Sequence, residues 1–493
     1  MKTEDAPPSG AETSSLPEET GLPLPVLAEP LPAAGAGEPA GKVWRAGTLT
    51  YGAGGLVALF CWLLWGDFAW SMKERSVTSV VQLMLRQLQA SDMMAGFLIG
   101  SLPSAITMIL GPVISYRSDR HRGRRGRRIP YLIATTPLAA LSMAGLAFTP
   151  ALGRWLDAAL GGQSPGLYAA TMIVFGVFWT VFEIATVAAN AVFTGLINDV
   201  VPGPLLGRFY GLFRALSLIA GMIFNYWLLG RAESHYEWVF IGVGLLYGVG
   251  FTVMCLKVRE GEYPLPPRPE VADTSGASDR VTGFPKGVRI YFRECFGNSY
   301  YVWVFTGITL ATLAFVPVNL FSVFFAKSVD MPMTVYGRYI ALTFLISLVF
   351  SYPLGWLADR IHPLRASMLM LGLYVLAAGW GGFFAGDTRT FAVAFVLHSV
   401  LSGCFFTCSA SLGQRLFPHS RFAQFASAAG MLTALGMMLI APATGRMLDH
   451  AGHVYRYTYL ASSVLGAVGL VALFRVHSRW RRLGGARRYV APE

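Results

Sequence analysis

Residues 115–128 read SYRSDRHRGRRGRR, Ser115 to Arg128, and join two long apolar stretches. Seven arginines fall between residues 117 and 128, whereas 93–116 and 129–150 hold no arginine or lysine. Apolar runs of about 20 residues are the length that crosses the hydrocarbon core of a bilayer. A short loop this basic between two such runs is expected on the cytoplasmic side, because arginine and lysine bias in short loops sets topology.

Composition agrees with a membrane protein. Of 493 residues, 54% are hydrophobic and only 13% charged, with a mean hydropathy of +0.51, too little charge for a soluble chain of this length. The formal charge of +12 would suit nucleic acid, but the arginines concentrate in the loop above and in Arg475–Arg488. They read as membrane-surface contacts, with no nucleic-acid partner expected. The cysteines at 61, 255, 295, 404 and 408 have no disulfide or zinc spacing. Cys404 and Cys408, one helical turn apart in an apolar run, read as packing residues. Neither a metal nor a cofactor is expected, and without a phosphate loop or nucleophile elbow no enzyme chemistry emerges.

The order of residues in the loop says more. Asp119-Arg120 followed by Gly126-Arg127-Arg128 resembles the D-R-x-G-R-R signature of the major facilitator superfamily. The longer string, Gly111-Pro112, Ser118-Asp119-Arg120 and Gly126-Arg127-Arg128-Ile129-Pro130-Tyr131, is similar to that of sucrose transporters and the glycoside-pentoside-hexuronide symporters, with Ser115 where glycine is usual. A weaker copy, Gly355-Trp356-Leu357-Ala358-Asp359-Arg360 with Arg365 beyond, lies 240 residues on. The resemblance spans residues 48–475. It implies an all-α membrane protein of twelve transmembrane helices in two six-helix halves, parallel repeats about an axis along the membrane normal.

On that plan the chain divides into a cytoplasmic tail (1–44, with eight prolines and no apolar run), an N-terminal half (45–257), a cytoplasmic linker with an interfacial helix near 287–296 (258–299), a C-terminal half (300–475) and a basic tail (476–493). An even number of crossings puts both termini in the cytoplasm, of a bacterial inner membrane by resemblance. A monomer is expected.

The first membrane helix, from near Thr48, is interrupted by Asp67, Lys73, Glu74 and Arg75. It either stops at Met72 or runs on to about Gln82. Phe68-Ala69-Trp70 and Thr78, Val81, Gln82 resemble the first helix of sucrose transporters and favour the longer form. At 100° per residue, Asp67, Ser71, Glu74, Thr78 and Gln82 then share one stripe, flanked by Trp70. A carboxylate at membrane depth costs a few kcal/mol unless paired or hydrated, which makes it a functional candidate. The alternative is that Lys73, Glu74 and Arg75 neutralise one another.

On the fourth helix, about 167–198, Trp179, Glu183, Thr186, Asn190 and Thr194 share a face, and helices one and four line the central cavity in the family. Carboxylates, amides and an indole face suit sugar hydroxyls and ring CH groups, although packing alone would also explain Trp179. The second half offers Asn319 on helix seven and His398 on helix ten, a histidine that serves either in packing or in proton transfer. In melibiose-type symporters helix two carries cation-binding aspartates; Thr107 and Gly111 stand there, which leaves protons or no coupling ion. Glu74, Glu183 and Asp67 are the proton-coupling candidates.

The expected cytoplasmic gate is a charge latch of Asp119, Arg120, Arg127 and Arg128 with Asp199 and Arg208 of the helix four–five connection, echoed by Asp359 and Arg360. The expected function is secondary active transport of a sugar or glycoside by alternating access, with protons as candidate coupling ion. Export of an amphiphilic compound, or a sensor or assembly role without transport, are the alternatives.

Overall fold

The computed structural model describes residues 43–263, 289, 291–418 and 421–492. Most of the tail expected over 1–44 and much of the linker expected over 258–299 fall outside the described residues.

The described chain opens not with a helix but with a hairpin, Trp44–Ala46 paired antiparallel to Leu49–Tyr51. Its two-residue loop places Gly47 at φ +57°, a conformation open to glycine at no steric cost. Helix α1 then runs unbroken from Ala53 to Gln87, 35 residues or about 52 Å. Asp67, Lys73, Glu74 and Arg75 therefore lie on a continuous helix, and the long form is the one observed.

The other long helices are α2 (Asp92–Arg120), α3 (Ile129–Ala147), α4 (Leu167–Val200), α5 (Gly203–Ile223), α6 (Leu229–Lys257), α7 (Ser299–Ser328), α8 (Met333–Ile361), α9 (Pro363–Phe384), α10 (Thr388–Ser409), α11 (Phe422–His450) and α12 (Tyr457–Arg482). Between α5 and α6, π-helical Phe224–Leu228 runs on without a loop. That 55-residue stretch would be about 80 Å if straight, and it breaks at His235, whose φ −141° and ψ 48° are not helical. With the break, the described residues supply twelve crossings. Arg154 and Asp157 lie on a short amphipathic helix, Thr149–Leu160, between α3 and α4. Helix α12 also runs through the arginines expected to begin a tail, held by Trp480, which is fully buried.

The packing pairs repeat with a period of six helices. In the first half α1 packs on α6 and α5, α3 on α4 and α6, and α2 on α4; in the second α7 packs on α12 and α11, α9 on α10 and α12, and α8 on α10. Between halves, α2 meets α11 and α5 meets α8, a reciprocal pair that one two-fold operation generates.

The halves touch mainly at the end away from the arginine loop. There one apolar cluster takes in Leu83, Ile99 and Leu229 with Phe321, Phe391 and Tyr455. A separate cluster, including Tyr301, Leu354 and Phe425, belongs to the second half alone at the loop end.

Candidate functional site

Three consecutive charges on α1 point three ways, as 100° per residue requires. Lys73 is fully buried: its Nζ donates to Thr186 Oγ1 of α4 at 3.2 Å and stands 3.6 Å from the Trp70 ring centroid and 4.9 Å from that of Tyr247. Glu74 is exposed and interacts electrostatically with Lys73, Arg75 and Glu183. Arg75 turns to the other side, donating to Ser217 of α5 at 3.3 Å and lying over the Phe344 ring of α8 at 5.1 Å.

The expected stripe is thus divided. Glu74 and Thr78 are exposed, whereas Asp67, Ser71 and Gln82 are buried. Asp67 accepts from Ser71 Oγ at 3.3 Å, and its Oδ2 has no hydrogen-bond partner. On α4, Glu183 is half-buried while Asn190 and Thr194 are exposed.

Across the molecule, Asn319 is exposed on α7. Its Oδ1 meets His398 Nε2 at 2.9 Å and its carbonyl accepts from Gln82 Nε2 at 3.1 Å. His398 is itself buried, with its other ring nitrogen 3.0 Å from the Tyr374 hydroxyl. It stands behind Asn319, where it holds the amide.

The two tryptophans are placed in packing. Trp179 is 2% exposed, and its indole N–H donates to the Leu98 carbonyl at 2.7 Å. Trp70 is 5% exposed among Phe193, Tyr247 and Phe251, with one face covered by Lys73. Neither indole offers a sugar a free face.

At the arginine loop, Arg127 makes a two-pronged bond to Asp199 of α4, at 2.6 and 3.1 Å. Arg128 joins the same carboxylate at 2.9 Å and Asp119 at 2.7 Å. Glu260, just past α6, accepts from the backbone N–H groups of Arg127, Arg128 and Ile129 at 2.9, 2.8 and 2.6 Å. One carboxylate thereby satisfies donors that the start of α3 leaves open. Arg208, Asp359 and Arg360 are exposed; Arg360 lies over Trp356 and Arg120 over Tyr116, each on its own helix. The latch therefore forms within the first half, through Arg127 and Arg128 and not through Arg208.

Twelve crossings in two repeats, a buried charge group and this arginine latch agree with a match of residues 66–445 to the family model described as MFS/sugar transport protein. The chain belongs to that family. Among solved structures it is similar to the D-xylose-proton symporter, with TM-score 0.60 and 15% identity over 85% of this chain and 97% of that one. It is also similar to a bacterial homologue of the human lysosomal transporter Spinster, inward-facing and unoccupied, with TM-score 0.58 and 14% identity over 89% and 98%. A third is the inward-open xylose transporter XylE from E. coli, with TM-score 0.57 and 14% identity over 85% and 94%. At these identities the likeness establishes the fold. No curated protein matches the chain.

This facilitator closes its far end with groups that the sequence reading did not single out. Asp449, at the end of α11, accepts from the backbone N–H groups of Asp92 and Met93 at 2.8 and 3.0 Å. Asp92 accepts from Tyr455 at 3.0 Å and meets His453 Nδ1 at 2.7 Å, and Arg86 of α1 donates to the Tyr455 hydroxyl at 3.1 Å. Glu233 pairs with Lys327 nearby. Asp92, Asp449 and His453 bring ligand atoms within 4.8 Å of one another, but hydrogen bonds already engage all three. At the arginine-loop end, Arg214 to Thr407 at 3.3 Å links the halves.

Proposed function

We propose that this family member moves a sugar or glycoside by proton-coupled alternating access, with Glu74 as the group that takes up and releases the proton. The observation that carries the reading is the placing of Glu74: exposed within a membrane helix, yet beside the buried Lys73 and facing Glu183 of α4. A carboxylate in that position changes its neighbours and its wetting as the halves rock, which is what couples a proton to a conformational change. Glu183 assists, and Asp67, buried with an unpartnered oxygen, is the third candidate.

Asn190 and Thr194 of α4, Thr78 of α1 and Asn319 of α7, all exposed, would meet the hydroxyls, with His398 fixing the Asn319 amide. The xylose-proton symporter among the similar folds supports a small carbohydrate substrate. The arginine loop and both chain ends would lie in the cytoplasm, and closure at the far end with few bonds at the loop end corresponds to the inward-facing stage. On this reading the protein is a monomeric transporter of the bacterial inner membrane and not an enzyme.

The test is uptake of labelled sucrose, maltose and related glycosides into proteoliposomes, with and without an inward proton gradient. Gradient-driven uptake that Glu74→Gln abolishes, with substrate counterflow preserved, is the expected result. Uptake indifferent to the gradient would make the protein a uniporter. No uptake of any sugar by folded protein would overturn the substrate class.

A further inference from the structure

A cavity of about 1280 Å³ opens away from the central helices, at the arginine-loop end of the second half. Its walls are the start of α7, the short helix Leu412–Leu416 that follows α10, the start of α11 and the segment 485–492. That segment is pinned across the opening. Gly484 turns it at φ +104°, the Tyr489 hydroxyl donates to the Leu416 carbonyl at 2.7 Å, and Tyr301 donates to the Pro492 carbonyl at 2.6 Å. The cavity is therefore built by side chains and not merely left between helix ends.

Its charge is one-sided. Arg293, Arg415 and Arg421 line it, against a single acid among its described residues, Glu294. Glu294 accepts from Gln424 at 2.9 Å and meets Arg421 only at 3.9 Å, so among the described residues the positive charge is largely uncompensated. His362 lies on the same wall. Burial first, then Arg415 and Arg365, push it down from the ordinary 6.5 to about 4, and its Nδ1 accepts from the Leu364 N–H at 3.3 Å. Asn298 and Gln414 add amides to the lining.

A sugar needs acceptors as well as donors, and this wall has few. Forked guanidinium groups with amide N–H donors suit phosphate oxygens. We propose that the cavity is a binding site for a phosphate-bearing ligand, gripped by Arg293, Arg415 and Arg421 with Asn298 and Gln414 donating beside them. Such a ligand would tie together the start of α7, the short helix Leu412–Leu416 after α10 and the start of α11, bracing the loop end of the second half as a unit while the halves rock. It would therefore tune the transport cycle from outside the sugar path. The phosphate can belong to a soluble metabolite or to a lipid headgroup.

The experiment is the melting temperature of the full-length protein in nanodiscs of phosphatidylcholine alone, titrated with inorganic pyrophosphate at constant ionic strength, and in nanodiscs containing one quarter phosphatidylglycerol. A rise of several degrees with pyrophosphate in the wild type, lost in Arg415→Gln/Arg421→Gln and kept in Arg481→Gln, whose arginine lies outside the cavity, is expected for a soluble ligand. The same pattern with phosphatidylglycerol alone assigns the site to a lipid headgroup. Should the double variant not fold, Arg293→Gln takes its place. No rise with either phosphate, or equal rises in the cavity variants, overturns the proposal.

Discussion

Lys73 illustrates what a single buried charge demands of its surroundings. Its ammonium has one hydroxyl and three aromatic rings, Trp70, Tyr247 and Phe182, as neighbours, each contact worth about 0.5–2 kcal/mol. That alone does not offset the several kcal/mol of removing an ion from water. The charges of Glu74 and Glu183 supply the rest. Removing the ammonium leaves the half-buried Glu183 without that compensating charge, so Lys73→Met is expected to destabilise the protein by about 3 kcal/mol. Adding Glu183→Gln should recover a large part of that loss. A double-mutant cycle on melting checks this, and strictly additive effects would show that the two are not coupled. The carboxylates were legible in the sequence because the 100° stripe gathers them. Lys73 was not, since periodicity gives a direction around α1 but cannot say that α4 and α6 close over that direction with Thr186 and Tyr247. His362 carries a second prediction at this scale. Its folded value of about 4 lies below the ordinary 6.5, so the unfolded chain binds the proton more readily. Stability is then full above about pH 6.5 and falls as the pH drops toward 4. His362→Asn, which tolerates the φ of +81°, should flatten the melting temperature across that window.

At the scale of elements, α3 depends on a residue from α6's far side of the sequence. Pro130 and the arginines before it predict where α3 begins, but its open N–H groups are capped by Glu260, more than 130 residues away. No local pattern announces such a partner, since Glu260 is one of two carboxylates, with Glu262, just after an apolar helix. Glu260→Ala is expected to cost roughly 1–2 kcal/mol, the scale of a lost cap, and to raise hydrogen exchange at Arg127–Ile129 before it affects the rest of the protein. Exchange unchanged at those amides would refute the capping role. Other elements were hidden for comparable reasons. The hairpin at Trp44–Tyr51 is too short to show a period, and its place is fixed by a bond from the Glu262 N–H to Thr48 Oγ1 at 2.8 Å. The end of α12 is polar by composition, and the burial of Trp480 with the bond from Arg479 to Ser299 Oγ at 2.6 Å holds it against α7 and its neighbours. By contrast, the spans themselves were legible, because in a bilayer every long apolar segment must satisfy its own backbone as helix.

For the whole molecule, the far-end seam decides which way the two halves stand, and glycine makes that seam possible. Gly96, Gly100 and Gly445 bring α2 and α11 into backbone contact. A Cβ at Gly96 or Gly100 would strike Ala441, and one at Gly445 would strike the backbone of Asp92, the same residue that the Asp449, His453 and Tyr455 bonds secure. The π-helical turn Phe97–Ser101 and Pro442 face each other across this line, so both helices are already bent where they meet. Side chains larger than glycine leave each half intact but push the halves apart at this end, and by the alternating geometry favour closure at the arginine loop. Gly445→Val should therefore shift the population toward the form open at the far end. A change of 1.4 kcal/mol between the two forms is a factor of about ten in their ratio. Spin labels at Gln89 and Asp330, on exposed turns of the first and second halves, read that ratio as a distance distribution. The expected outcome is a longer component that grows in Gly445→Val and stays absent in Gly430→Val, where the same helix has open space for a side chain. Identical distributions in both variants would mean that the seam is not what holds the far end shut.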